Sequence, residues 1–239
     1  MTIFVFDMDG TLTPARLPME AEFAIRFHGW QQTHKSFIAT GSDYKKVEEQ
    51  LPPSVIQSFT GIFSSMGNVL TAQGQIIYQN SFKADSELFT LLEQYRKQTA
   101  YPGILYPNYI EERIGMINFS VLGRDCPYAE RERYSAWDKT AHERETIATE
   151  LRQAFQQYDI SVGGSISMDI TPKGFGKDQI AKRLREHYPY EKIIFFGDKT
   201  FKGGNDYELA HALSKLENTM IMQINNPAEV LFALERHTD

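Results

Sequence analysis

The sequence predicts an α/β protein: a parallel-sheet core over about 1–81 plus 173–239, interrupted at about 82–172 by an α+β cap with its own antiparallel sheet. Three observations predict it. Short apolar runs alternate with amphipathic stretches through the first third of the chain. The same alternation returns after the middle. Between these two regions, helices are grouped with adjacent hairpins instead.

The opening run "TIFVF" reads as a strand, and "MEAEFAIRFHGW" carries apolar residues at helical spacing. "KSFIAT" is a second strand, and "GSDYKKVEEQL" a helix that Ser42 or Asp43 can cap. "GIFSS" is a third strand, and "ADSELFTLLEQYRKQT" is the helix that opens the cap. "IEERIGMINFSVLG" reads as a hairpin turning near Gly115, followed by helices in "YAERERYSAW" and "HERETIATELRQAFQQY". "ISVGGSISMDITP" is a second hairpin, turning at Gly163-Gly164. The core resumes with a helix in "GKDQIAKRLREHY", a strand in "KIIFFGD" and a helix in "DYELAHALSKL". It ends with a strand in "TMIMQI" and a helix opening at Pro227 in "PAEVLFALERH".

Composition narrows the function classes. Asp and Glu total 31 against 25 Lys and Arg, a formal charge of -6, which argues against nucleic acid as the main partner. No apolar run approaches the ~18 residues of a membrane span. The N-terminus lacks a basic start and a cleavage site and reads as a strand rather than a signal peptide. Cys126 is the only cysteine, so no internal disulfide forms, which fits a reducing cytoplasm. The histidines show no metal-binding spacing.

In a parallel α/β sheet, ligands collect at the carboxyl ends of the strands. Polar clusters stand at such ends: Asp7 and Asp9 after the first strand, Thr40-Gly41-Ser42 after the second, and Gly197-Asp198 after "KIIFF". Lys177 stands at the start of the first returning helix, and Asn205-Asp206 follows in "KGGNDYEL". Two carboxylates as close as Asp7 and Asp9 repel each other, so a cation there, or a proton on one of them, is expected. Carboxylates from separate strand ends make an oxygen-rich cavity suited to Mg²⁺. In that arrangement Asp7 and Asp198 bind the metal and Asp9 contributes its carbonyl, leaving its side chain for proton transfer. Lys177 near a helix N-terminus is disfavoured by the helix dipole, so an anion is expected beside it. "GFGK" is not a phosphate-binding P-loop, which needs a longer glycine spacing and Ser or Thr after the lysine, where Asp178 stands.

The ordered set Asp-x-Asp-Gly-Thr, Ser42, Lys177 and Gly-Asp…Asn-Asp resembles the haloacid dehalogenase superfamily, with its Rossmann-like core. The resemblance implies that Asp7 is a nucleophile forming an aspartyl-phosphate and Asp9 the general acid/base. It implies further that Ser42 and Lys177 hold the phosphoryl oxygens and that Asp198 and Asp206 complete the metal site. The segments "FDMDGTLTPAR", "GSDYKKVEEQL", "RIGMINFSVLGRDCPYAERERYSAWDK", "GGSISMDITPKGFGK" and "FFGDKTFKGGNDYEL" are similar to eukaryotic-type phosphomannomutases. From that family, Arg16, Arg113, Arg124, Arg131, Ser167 and Asp169 carry over as hexose-phosphate-binding residues. The resemblance implies a mutase that interconverts mannose 1-phosphate and mannose 6-phosphate through a hexose bisphosphate, and a homodimer through the cap.

Two departures stand out. The family has Glu-Asn-Gly after the third core strand, where this chain has Met66-Gly67-Asn68. Its peripheral acidic cation ligand falls near Ala212. The residues leave two alternatives open. A sugar-phosphate phosphatase of the same superfamily needs the same core. A phosphosugar-binding protein without turnover has no use for a paired nucleophile and acid. Mannose and glucose are not separated by any residue read here.

Overall fold

The structure is a computed structural model describing residues 1–236. It forms two compact units: Met1–Asn80 together with the described chain from Phe175 onward, and Ser81–Gly174.

The first unit begins with β1 (Thr2–Phe6), α1 (Ala21–Gln31), β2 (Lys35–Ala39), α2 (Tyr44–Gln50), α3 (Pro53–Ser58) and β3 (Gly61–Ser64). A hairpin of β4 (Val69–Ala72) and β5 (Gln75–Gln79) follows. The second unit holds α4 (Ser86–Lys97), β6 (Ile110–Arg113), β7 (Met116–Phe119), α5 (Tyr128–Ala141), α6 (Glu143–Ala154), β8 (Tyr158–Gly163) and β9 (Ser167–Pro172). The first unit is completed by α7 (Gln179–His187), β10 (Lys192–Gly197), α8 (Tyr207–Ser214), β11 (Thr219–Gln223) and α9 (Pro227–Leu234).

In the first unit the described strands form one sheet, ordered β11-β10-β1-β2-β3-β4-β5. The five strands from β11 to β3 pair in parallel, as the sequence predicts. Side chains alternate across a strand, and here both faces are apolar. Phe4, Phe6, Ile38, Ile62, Ile194 and Phe196 point to one face, where they meet Phe23 and Phe27 of α1 and Val230 of α9. Ile3, Val5, Phe37, Phe63, Ile193 and Phe195 point to the other, where they meet Ile180 and Leu184 of α7 and Leu209 and Leu213 of α8. Phe6 stacks on Phe196 at 4.9 Å and meets Phe27 edge-on at 5.3 Å. Each such ring removed from water contributes roughly 1.5–3 kcal/mol.

Helix starts follow local chemistry. Of the two residues able to cap α2, Asp43 does so, accepting from Lys46 N at 2.9 Å. Asn226 caps α9, and Glu229 reaches back to Asn225 N at 3.0 Å around Pro227.

The sequence reading did not include α3 or the antiparallel β4–β5 extension. The β4–β5 turn is Gln73-Gly74, both at positive φ (+51° and +73°), and β5 exposes Ile76 and Ile77, so its alternation of apolar and polar residues is lost. Helix α7 starts at Gln179, two residues beyond Lys177.

The second unit has a separate antiparallel sheet, ordered β6-β7-β9-β8. Its two hairpins are those predicted around Gly115 and Gly163-Gly164. Ile117, Phe119, Ile160, Met168 and Ile170 pack with Leu88 and Leu92 of α4 and with Ile147 and Leu151 of α6. No helix among the described residues is long and apolar enough to cross a membrane.

Candidate active site

The carboxyl ends of β1 and β10 lie side by side because those strands pair in register, Phe6 opposite Phe196. Asp7 extends that pairing by donating its N–H to Phe196 O at 2.8 Å. Asp7 therefore leaves β1 beside Gly197-Asp198, which leaves β10. Gly10, at φ +91°, completes the turn: a Cβ there would lie 2.5 Å from Asp198 Oδ2. A Cβ on Gly197 would lie 2.6 Å from Asp206 Oδ2. Both glycines leave room for carboxylates.

Lys177 is fully buried between two of these acids. Its Nζ donates to Asp7 Oδ1 at 2.8 Å and to Asp206 Oδ1 at 2.5 Å. This is the anion the sequence called for beside Lys177. Burial alone would lower the ammonium's pKa, but the charges and hydrogen bonds of Asp206 and Asp7 more than offset it and push it up. Lys177 stays charged. Asp7 is raised well above the usual carboxylate range, first by burial and then by the charge of Asp206, with Lys177 acting in the opposite direction. Asp198 is also raised, mainly by burial, although Lys199 partly offsets it at 3.0 Å.

Oxygens of Asp7, Asp198 and Asp206 all lie within 4.8 Å of one another. Asp7 Oδ2, Asp198 Oδ1 and the nearby Asn205 Oδ1 are buried without a hydrogen-bond partner. Buried acceptors left unpaired are costly. An all-oxygen donor set with unsatisfied lone pairs fits a hard divalent cation.

Asp9 faces different partners. Its Oδ1 accepts from Arg16 N at 2.6 Å and from Gln50 Nε2 at 3.0 Å, and its Oδ2 from Ser42 Oγ at 3.5 Å. The structure thus brings the predicted Ser42 and Asp9 together. Arg16 takes part through its backbone, at φ +62°. Gln50, buried at the end of α2, was not read from the sequence, because a glutamine at a helix end carries no motif.

The second unit holds its own cluster. Arg113 and Arg124 both bond Glu111 Oε2, at 3.0 Å through the Nε of each. Arg124 also donates to Asn118 Oδ1, and Asn118 Nδ2 donates to Asp169 Oδ1 at 2.6 Å. Asp169 is raised, first by burial, with Arg113 opposing. Gly163 makes room for this carboxylate, since a Cβ there would lie 2.6 Å from Asp169 Oδ2. Arg131 Nη2 donates to Arg124 O at 2.6 Å, while Arg131 Nη1 is buried without a partner. Ser167 is buried at the start of β9, its Oγ 3.4 Å from Gly163 O. Arg144 holds that turn: paired to Asp138 at 2.7 Å, it donates to Ser167 O at 3.3 Å. Glu111, Asn118 and Arg144 are not among the residues read from the sequence, where nothing pairs them with Arg113, Arg124, Asp169 or the Ser167 turn.

The eukaryotic phosphomannomutase family model matches residues 27–236. A phosphomannomutase of Solanum lycopersicum is 34% identical over 239 residues, spanning 96% of this chain and 91% of that protein. One from Triticum aestivum is 36% identical over 215 residues, spanning 86% and 84%. Among solved structures, a Plasmodium falciparum IMP-nucleotidase superposes with a TM-score of 0.65 at 14% identity, over 98% of this chain and 69% of that one. A HAD subclass IIB sugar phosphatase gives 0.60 at 14% identity, over 100% and 99%. At these identities the structures speak to fold alone. The residues matched and the extent of the sequence similarity place this chain in the eukaryotic phosphomannomutase family.

Proposed function

We propose that this protein is a hexose-phosphate mutase that interconverts mannose 1-phosphate and mannose 6-phosphate by way of phospho-Asp7 and a hexose bisphosphate. The observation that carries the reading is that each unit, taken by itself, holds a group suited to one phosphate. In the first unit, Asp7 sits at an acid cluster neutralised by one buried lysine. In the second, Arg113, Arg124 and Arg131 gather with a buried, unpartnered guanidinium nitrogen among them. Planar guanidinium groups suit phosphate. A bisphosphate presents two such groups; a small phosphate ester presents one.

Asp7 attacks phosphorus through a carboxylate oxygen, and the bond from phosphorus to the sugar oxygen breaks. Asp9 gives a proton to that leaving oxygen. In the return step Asp9 takes the proton of the other sugar hydroxyl as its oxygen attacks phospho-Asp7, which is released as a free carboxylate. Lys177 and Ser42 hold the phosphoryl oxygens, and Gln50 and the Arg16 N–H fix the Asp9 carboxylate. Asp7, Asp198 and Asp206, with the Asp9 carbonyl, are the residues that would hold Mg²⁺, which when bound offsets the charge between a carboxylate and a phosphate dianion. Arg16, Ser167 and Asp169 join the arginines in binding the sugar phosphate. A reducing cytoplasm suits the single buried thiol of Cys126. Dimerisation through the second unit belongs to the same reading.

Phosphorus NMR on the purified protein with mannose 1-phosphate, Mg²⁺ and a trace of glucose 1,6-bisphosphate tests it. Growth of a 6-phosphate signal is expected. Release of inorganic phosphate without a 6-phosphate would favour the phosphatase, and no change across several hexose phosphates a binding protein.

The arginine cluster gives a separate expectation. Arg124→Ala removes charge-assisted contacts worth ~1.5–3 kcal/mol, so KM for mannose 1-phosphate should rise roughly 10- to 100-fold. KM for p-nitrophenyl phosphate, which has no distal group, should stay nearly constant. Equal losses on both substrates would place Arg124 outside substrate recognition.

A further inference from the structure

The segment Ser65 to Asn68, which contains Met66-Gly67-Asn68, is buried and conformationally demanding. Ser65, Met66 and Gly67 all have positive φ (+49°, +61° and +85°). Such a run persists only where its surroundings over-determine it, and it concentrates at functional sites. Its contacts run in two directions.

On one side the segment is bonded to the turn after β2: Ser65 N donates to Ser42 O at 2.8 Å and Met66 N to Thr40 O at 3.1 Å. On the other side it is bonded to the turn that carries Lys177. Asn68 Nδ2 donates to Ser65 O at 2.8 Å and to Phe175 O at 3.1 Å. Asn68 Oδ1 accepts from Asn80 Nδ2 at 3.0 Å and from Gln179 Nε2 at 3.3 Å. Both donors and both acceptor positions of this fully buried amide are used. Gln179 Nε2 also lies 3.1 Å from Met66 O and 2.9 Å from Phe175 O. Phe175 and Gln179 stand two residues before and two after Lys177. Gly67 closes the packing, since a Cβ there would lie 2.6 Å from Ile180 Cγ1.

We propose that Asn68, aided by Gln179, is a positioning residue of the phosphoryl site: its amide fixes the Ser65–Met66 backbone, which is bonded to the Thr40–Ser42 turn, against the Phe175–Gln179 turn and so sets the spacing of Ser42 and Lys177. This rests on the reading of Ser42 and Lys177 as holders of the phosphoryl oxygens. The two come from distant parts of the chain: the Ser65 and Met66 N–H groups reach the Ser42 side, and the Asn68 amide holds Ser65 O to Phe175 O and Gln179 on the Lys177 side.

The test uses the full chain with Mg²⁺, p-nitrophenyl phosphate as substrate and orthovanadate as a mimic of the phosphoryl transition state. Asn68→Asp keeps volume and removes both donors. It should lower kcat/KM by ~10²-fold, the scale of a small misplacement at a reacting centre. The inhibition constant of orthovanadate should rise by a similar factor in protein that is folded by circular dichroism. Gln179→Met, which leaves Asn68 in place, should move both quantities less and in the same direction. On a Ser42→Ala background, Asn68→Asp should cost roughly tenfold or less, because part of what it positions is already gone. An unchanged vanadate constant, with activity lost only in step with folded fraction, would assign Asn68 to stability and overturn the proposal. Full additivity with Ser42→Ala would overturn it too. Should Asn68→Asp not fold, Gln179→Met decides by the same two constants. A parent protein inert toward both the aryl phosphate and mannose 1-phosphate ends the phosphotransfer reading together with this one, whereas an active parent with an indifferent Asn68→Asp ends this one alone.

Discussion

Asp7→Asn is expected to lower turnover of every phosphate ester by roughly 10⁴-fold or more, the scale seen when a covalent nucleophile is removed. An amide neither attacks phosphorus effectively nor serves well as a ligand to a hard cation. The fold should survive. Lys177 keeps its bond to Asp206, and the carboxylate that is lost is one that burial and Asp206 already penalise. A carboxyl whose pKa is raised on folding adds stability below its unfolded value and loses that contribution as pH rises through the raised one. The thermal midpoint of Asp7→Asn in metal-free buffer should therefore gain on the parent's as the pH is raised. Rapid-quench mass spectrometry supplies the control: Asp9→Asn should still gain one phosphoryl group, and Asp7→Asn should gain none. Near-normal activity in Asp7→Asn would remove the mechanism.

Much of the core could be read because its strands are short, apolar on both faces and each followed by a polar residue. Asp7 after "TIFVF" and Asp198 after "KIIFFG" are examples. Parallel pairing then brings these ends together without any information from the loops. Lys177 was legible through a conflict, a cation near a helix N-terminus, and its resolution is an acid on each side. What escaped has a common physical cause. Gln50 meets Asp9 from 41 positions away, and Asn68 meets Phe175 from 107. Neutral amides with long-range partners have no periodicity, spacing or charge signature. Glu111 was lost among neighbouring charges, although it pairs with both Arg113 and Arg124. The β4–β5 hairpin was lost because exposed isoleucines on an edge strand blur the two-residue alternation.

Lys177→Met is expected to remove activity and destabilise the protein together, and the two effects should separate with pH and metal. Lys177 is raised on folding, so its contribution is complete below the ordinary lysine value and is lost only as pH climbs through the raised one. At pH 7.5 the parent holds all of it. Methionine matches the stem but leaves Asp7 and Asp206 buried without a counter-charge, a change that costs about 3–5 kcal/mol when one partner of a buried pair is removed. For a chain of this size that is a fall of about 10 °C in thermal midpoint. The lysine also lowers Asp7's carboxyl, so its loss raises Asp7 further and moves proton uptake to higher pH. The deficit should accordingly shrink as pH falls and Asp7 takes the proton. It should shrink as well on adding Mg²⁺ at pH 7.5, because a cation held by Asp7, Asp198 and Asp206 replaces the missing positive charge and stabilises the state that binds it. Activity should not return under either condition, since neither restores a donor to the phosphoryl oxygens. Differential scanning fluorimetry across pH, with and without Mg²⁺, reads the first effect, and aryl phosphate turnover reads the second. A deficit that is flat in pH and indifferent to Mg²⁺ would mean that Lys177 matters through packing and not through the charge it places between two acids.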